Sequence, residues 1–235
     1  MDFIMEHLIV GIAVMFVIIA CRVFQANVAL ALGDDTPKLN GSTSLNPVNH
    51  IDLVGFICFL VFKFGWAKPL EVNVSKFKNR FWGKIIYSLS NAFMCFLIAL
   101  ISAIIYIIIG SNSGFLFLLF RDIFSISIVF GIIGLIPLPP FDGAIFVSAF
   151  LSREVEYEYF KLSNYTTFIL LALILTRTFG TFLSPVVNTV GKFIIKLAYM
   201  LVMCIRDRCN AINCKFRCLF RTFGFVARFN FKTKG

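Results

Sequence analysis

The sequence predicts an all-helical, polytopic membrane protein with about five or six spanning or half-spanning segments. Three observations carry this. The 235 residues are 59% hydrophobic and 14% charged, with a mean hydropathy of +0.90, whereas soluble domains are about 45–50% apolar and about 25% charged. Several apolar runs exceed the roughly 18 residues needed to cross a bilayer. Thirty Phe stand beside only two Trp, a composition suited to packed helices facing lipid.

The first seven residues, "MDFIMEH", are acidic. A signal peptide begins with a basic region, so no cleavage is expected. Residues 8–32 form the first span, which Gly33 ends as a helix stop. Residues 33–50, "GDDTPKLNGSTSLNPVNH", are polar and rich in turn formers. Residues 51–62 are apolar but short, which fits an interfacial or re-entrant piece. Lys63, Lys68, Lys76, Lys78, Arg80 and Lys84 then crowd residues 63–84 against Glu71 alone. Residues 85–109 are a clear span, and "GSNSG" is a tight neutral turn. Residues 115–136 are another span, with the adjacent Arg121 and Asp122 near the interface. "PLPPFDG" breaks it, because proline lacks a donor and clashes with the preceding turn. Residues 152–165 form a charged, solvated or interfacial connector. Residues 166–179 and 182–203 are expected as a last helical hairpin around "GTFLSP". Lysine and arginine concentrate in cytoplasmic loops, which puts the 63–84 loop and the 137–165 connector inside and the N-terminus outside. An integral membrane protein with its N-terminus outside is the resulting expectation.

Two regions follow: a membrane-embedded domain at 1–203 and a basic Cys/Phe-rich tail at 204–235. The tail holds eight Lys/Arg against Asp207, so it carries +7 of the net +10. A nucleic-acid partner would rest wholly on that tail and is not expected. Its four cysteines lack the paired C-x-x-C spacing of a zinc module. Two readings of it stay open. One is a surface segment drawn to anionic lipid. The other is a spurious translation, since "MCIRDR" resembles a translated sequencing adapter. The remaining cysteines, Cys21, Cys58 and Cys95, lie in apolar segments, where a thiol behaves as a small hydrophobe.

Within the first span one residue stands out. Arg22, in "CRVFQ", costs about 2.5–3.5 kcal/mol at a bilayer centre even on the lenient insertion scale. An intramembrane charge points to a functional site with a partner elsewhere.

Motifs arrive in a fixed order: "LGDDTPKLNG" (32–41), "SLNPVNHID" (44–52), "FGWAKPLEVN" (64–73), "FKN" (77–79), "LSN" (89–91) and "LIPLPPFDG" (135–143). Together they resemble the compact bacterial form of the site-2 protease family of intramembrane zinc metalloproteases, over roughly residues 1–203. A catalytic zinc takes three protein ligands, an open water position and a carboxylate base. An H-E-x-x-H helix supplies two of those ligands and the base. The resemblance implies that this helix precedes "LGD" and that the aspartate of "PPxDG", here Asp142, is the third ligand.

Counting back from Leu32 puts the H-E-x-x-H pattern on Cys21–Gln25. Cys21 and Gln25 then stand at the histidine positions and Arg22 at the catalytic glutamate position. The chain has two histidines in all, His7 and His50. The family also commonly has Asn where Gly134 stands and Gly-Pro where Tyr87-Ser88 stands. Arg22 stays protonated and is no base. Cys21 is able to bind zinc as thiolate, and Gln25 is a poor ligand. The resemblance implies zinc, and these residues imply that it binds weakly or not at all.

For Arg22 two expectations stand side by side. It pairs with Asp142 in the space of the metal, with charged atoms within about 6 Å; or it snorkels toward the interface, since Gly33 lies about 16 Å further along the helix. Cys21 and Gln25 are alternatively helix-packing residues, and Asp142 an N-cap for a helix starting at Gly143. His50 and Asp52 read as loop hydrogen-bonders, and Lys68 as an interfacial anchor beside Trp66. The leading functional expectation is a non-catalytic member that binds membrane lipids and membrane-protein or peptide segments. Against it stand an active intramembrane metalloprotease and a structural or transporter-like protein.

Overall fold

Four long apolar helices organise the chain, and their partners are set by small residues and by the few polar groups they carry. The computed structural model describes residues 3–50, 68, 70–110, 114–163, 165–166 and 178–207. Among them every regular element is helical. The long helices are α1 (Phe3–Leu32), α3 (Arg80–Ile109), α4 (Phe115–Gly134) and α7 (Thr178–Asp207). Shorter ones are α2 (Thr36–Leu39), α5 (Asp142–Ser148) and α6 (Arg153–Lys161). Single 3-10 turns cover Pro47–Asn49 and Val74–Lys76. The four long helices are each long and apolar enough to cross a membrane. This is the polytopic all-helical fold the composition implied, in an integral membrane protein.

Helix α3 is central and touches α1, α4, α5 and α7. Alanines let these backbones approach, as they must where lipid is as apolar as the side chains and packing drives association. Ala13 and Val17 of α1 meet Cys95 and Ile98 of α3 and Ile123 of α4. Ala99 and Ala103 of α3 meet Phe124 and Ile128 of α4 and Ala198 of α7. Large apolar side chains such as Leu8, Ile12, Phe16, Phe93 and Ile101 point outward, as a lipid-facing surface requires.

The motif segments cluster at the end of the bundle where α1 stops and α3 begins. Gly33 ends α1 at a φ of 110°, a conformation costly for a side chain. Asp34, fully buried, accepts from the backbone N–H of Thr36 at 3.1 Å and of Asn73 at 2.6 Å. Lys78 N–H donates to Leu32 O at 2.9 Å. "LGD" and "EVN…FKN" therefore form one strap across the end of α1. Asn79 caps α3 by accepting from Trp82 N–H at 3.2 Å.

Several expectations shift. Helix α3 begins at Arg80 rather than 85, so "LSN" lies well inside it. Lys84, counted among the loop charges, is 2% exposed and bonds Glu156 at 2.5 Å. The 152–165 connector is correspondingly not all solvated: α6 docks through Glu156, which also takes Arg80 at 2.6 Å. Helix α7 runs straight through "GTFLSP", where a hairpin turn was expected. Pro185 withholds the N–H that Thr181 O would receive, and Ser184 Oγ donates to that carbonyl instead, at 3.1 Å. The expected 51–62 segment, with Asp52 and Cys58, lies outside the described residues, as do Trp66, nearly all of 166–179 and nearly all of the tail.

Candidate functional site

Asp142 is delivered by the break after α4. Helix α4 stops at Gly134, "PLPP" turns the chain, and α5 starts at Asp142. The turn is tight enough to demand glycine next. A Cβ on Gly143 would lie 2.4 Å from Ile136 O. Ser88 Oγ of α3 donates to Asp142 O at 2.6 Å and fixes the loop on the bundle. Asp142 is the first residue of α5; Phe141 holds the cap position, with no side-chain cap bond. The N-cap alternative for Asp142 is thus replaced by a different use of the carboxylate.

That carboxylate turns toward α3 and α1. Asn91 Nδ2 donates to Asp142 Oδ2 at 2.7 Å, and Arg22 Nη1 lies 3.8 Å from the same oxygen. This is inside the 6 Å limit set for the pair, though longer than a hydrogen bond. The same Nη1 donates to Gln25 Oε1 at 2.9 Å, across one turn of α1. The Arg22 side chain is 22% exposed and that of Asp142 12%, so the charge turns inward along the site rather than snorkelling away. At 3.8 Å and an effective dielectric near 20 the attraction is about 4 kcal/mol, against a desolvation cost of similar order for each ion.

Cys21 faces the other way. Its Sγ meets Cys95 Sγ of α3 at 3.0 Å, with both residues buried. Cys95 Sγ in turn lies 3.8 Å from Asn91 Oδ1. Gln25 is fully buried, and its Nε2 has no hydrogen-bond partner among the described residues.

These contacts test whether a zinc ion suits the site. It would need at least three ligands, with oxygens at about 2.0–2.2 Å and a thiolate at about 2.3 Å. Asp142 Oδ2 instead holds Asn91 and faces a cation. Gln25 Oε1 accepts from that cation, and Cys21 Sγ sits against another thiol. Among the described residues no three His, Cys, Asp or Glu side chains converge as a metal would require. The donor set does not fit zinc. His50 is no part of the site: its Nε2 lies 2.7 Å from Ser44 O in the loop after α2. Lys68 lies in a polar surface cleft with Asn40, Ser42 and Glu71.

Asn91, Cys95 and Ser88 are the site residues that sequence reasoning left without a role. The signal for Asn91 was present, since an amide inside a spanning helix needs a partner. Cys95 carried none, because a cysteine in an apolar run looks like a small hydrophobe. Gly134 gains its meaning here. A Cβ there would come 3.0 Å from Asn91 Nδ2 and 3.9 Å from Asp142 Oδ2, so glycine leaves room for the Asn91–Asp142 bond.

No protein-family model and no solved structure matches the chain. Among curated proteins it is 28% identical over 201 residues to the "Putative zinc metalloprotease YwhC" of Bacillus subtilis (strain 168), covering 82% of this chain and 91% of that one. The likeness agrees with the family resemblance carried by the motifs.

Proposed function

We propose that this site-2-protease-like membrane protein holds segments of membrane proteins without hydrolysing them, its metal position having passed to an ion pair. The observation that carries the proposal is the 3.8 Å approach of Arg22 Nη1 to Asp142 Oδ2. Hydrolysis of a peptide bond by the family's chemistry needs an activated water and a base beside it. Arg22 supplies neither, and its charge repels a divalent cation from the aspartate that would bind it. What remains is the scaffold. It keeps a buried polar cluster among apolar helices, in which the amide Gln25 Nε2 has no partner among the described residues and would meet a peptide carbonyl only where α1 and its neighbours part.

Metal analysis of the purified protein tests this. The native chain should carry no stoichiometric zinc and release no product from membrane-protein substrates. Cys21→His/Arg22→Glu/Gln25→His should bind about one zinc per chain, because it rebuilds the H-E-x-x-H face opposite Asp142. The similarity to a protein named as a zinc metalloprotease favours the competing reading, an active enzyme. Stoichiometric zinc in the native chain, lost on Asp142→Ala, would establish that reading and defeat ours.

A further inference from the structure

Beside the ion pair, two thiols from different helices are in contact, and no role described so far uses them. We infer that Cys21 and Cys95 are a peroxide-responsive pair that closes into a disulfide, stapling α1 to α3 at the Arg22–Asp142 site.

Both cysteines are free, and both are buried, Cys21 at 3% exposure and Cys95 at 0%. Their sulfurs are 3.0 Å apart although the residues are 74 positions apart in sequence. The tertiary packing of α1 on α3 makes this contact, so the pair reports on that packing. A disulfide bond is about 2.05 Å long, and an approach of about 1 Å completes it.

A thiophilic metal is the other chemistry open to two cysteines. It fits less well. Two thiolates would be buried charges with no third protein ligand among the described residues. Ala13, Val17, Ile98 and Ile123 surround the sulfurs, and a neutral disulfide suits that apolar wall.

Burial also selects the oxidant. A bulky disulfide such as oxidised glutathione cannot line up on a sulfur with this exposure. Hydrogen peroxide is small and uncharged. The Cys21 sulfur attacks one peroxide oxygen; an S–O bond forms, the O–O bond breaks, and water leaves with the thiol proton. Cys95 sulfur then attacks the Cys21 sulfenic acid; the S–S bond forms, the S–O bond breaks, and a second water leaves. Two thiols are oxidised while one peroxide is reduced to two waters.

The staple reaches the ion pair through one residue. Cys95 Sγ lies 3.8 Å from Asn91 Oδ1, and Asn91 Nδ2 holds Asp142. Closing the disulfide removes the thiol hydrogen from Asn91 and fixes the helix bearing Arg22. This inference does not rest on the protein's being non-catalytic.

The full chain, purified in detergent, is exposed to graded hydrogen peroxide, then denatured in N-ethylmaleimide and peptide-mapped. The expected result is a Cys21–Cys95 linked peptide, both labels lost in parallel, and full reversal by dithiothreitol. In Cys95→Ser, dimedone present during denaturation should capture a sulfenic acid at Cys21. Three results would overturn the inference: Cys21 running on to sulfinic acid without linkage, both thiols surviving peroxide unchanged, or both being held by a stoichiometric metal. Should Cys95→Ser fail to fold, the mapping of the unaltered chain decides alone.

Discussion

Asn91 Nδ2 and Arg22 Nη1 converge on a single oxygen, Oδ2 of Asp142, at 2.7 Å and 3.8 Å. One carboxylate thereby ties together α1, α3 and the loop leading into α5. Inside a membrane such a group is a liability unless fully compensated, so its partners should be strongly coupled.

Asp142→Asn leaves Arg22 without its counter-ion and should cost about 3–5 kcal/mol, the usual penalty for orphaning a buried charge. Arg22→Met leaves Asp142 with Asn91 alone and should cost a similar amount, because each variant leaves one charge with a single hydrogen bond, to Gln25 or from Asn91. The double variant Arg22→Met/Asp142→Asn should recover much of the loss. A double-mutant cycle on thermal unfolding in detergent reads the coupling, expected at about 1–3 kcal/mol. Simple additivity would mean that the two side chains are neighbours without being partners.

Placing an asparagine at position 134 should disturb the site. Any side chain there meets Asn91 Nδ2 at 3.0 Å, so Gly134→Asn should push Asn91 off Asp142 at a cost of about 1–3 kcal/mol from overpacking. Gly134→Asn/Asn91→Ala should be less destabilised than the sum of its parts. The same unfolding measurement on the three variants checks this.

How much of this could be read beforehand follows from what each residue needs locally. The spans were legible because an apolar run of spanning length has one stable solution in lipid. Arg22 was legible because a charge in such a run demands a partner, and the motif order named Asp142. The start of α3 was misjudged because Lys84 looks like a loop charge until Glu156 is beside it. That contact spans 72 positions and leaves no trace in periodicity. Cys95 was illegible for the same reason: its meaning lies in Cys21, on another helix. The continuous course of α7 past Pro185 was illegible because its compensation shows only in the folded helix, where Ser184 Oγ donates to the Thr181 O that the proline cannot serve.

The Glu156 cluster gives a contrast between two cations on one acid. Lys84 is 2% exposed and also donates to Ser148 O at 3.1 Å, at the end of α5. Lys84→Met should therefore cost about 3–5 kcal/mol, since it removes a buried partner. Arg80, with 37% of its side chain exposed, is a rim contact, and Arg80→Gln should cost about 0–1 kcal/mol. Because α6 is held through Glu156, Lys84→Met should also speed proteolytic nicking within 149–163 of the folded protein. Equal unfolding midpoints for the two variants would show that the buried lysine adds nothing beyond the surface pair.

The last expectation concerns the turn that delivers Asp142. A Cβ on Gly143 would sit 2.4 Å from Ile136 O and 2.5 Å from Leu135 O. Both obstacles are backbone, at the end of α4, so no rotamer change relieves them. Gly143→Ala must therefore move α5 away from α4. That pulls Asp142 O from Ser88 Oγ and Oδ2 from Asn91. The substitution should cost at least as much as Asp142→Asn, about 3–5 kcal/mol, although it removes no charge and no hydrogen-bonding group. The ion pair should fail with it. In the Gly143→Ala background, Arg22→Met should cost clearly less than in the native chain, because Arg22 has already lost its partner. Unfolding midpoints of the single and double variants decide the point, and an undiminished cost of Arg22→Met would show that the turn does not position the carboxylate.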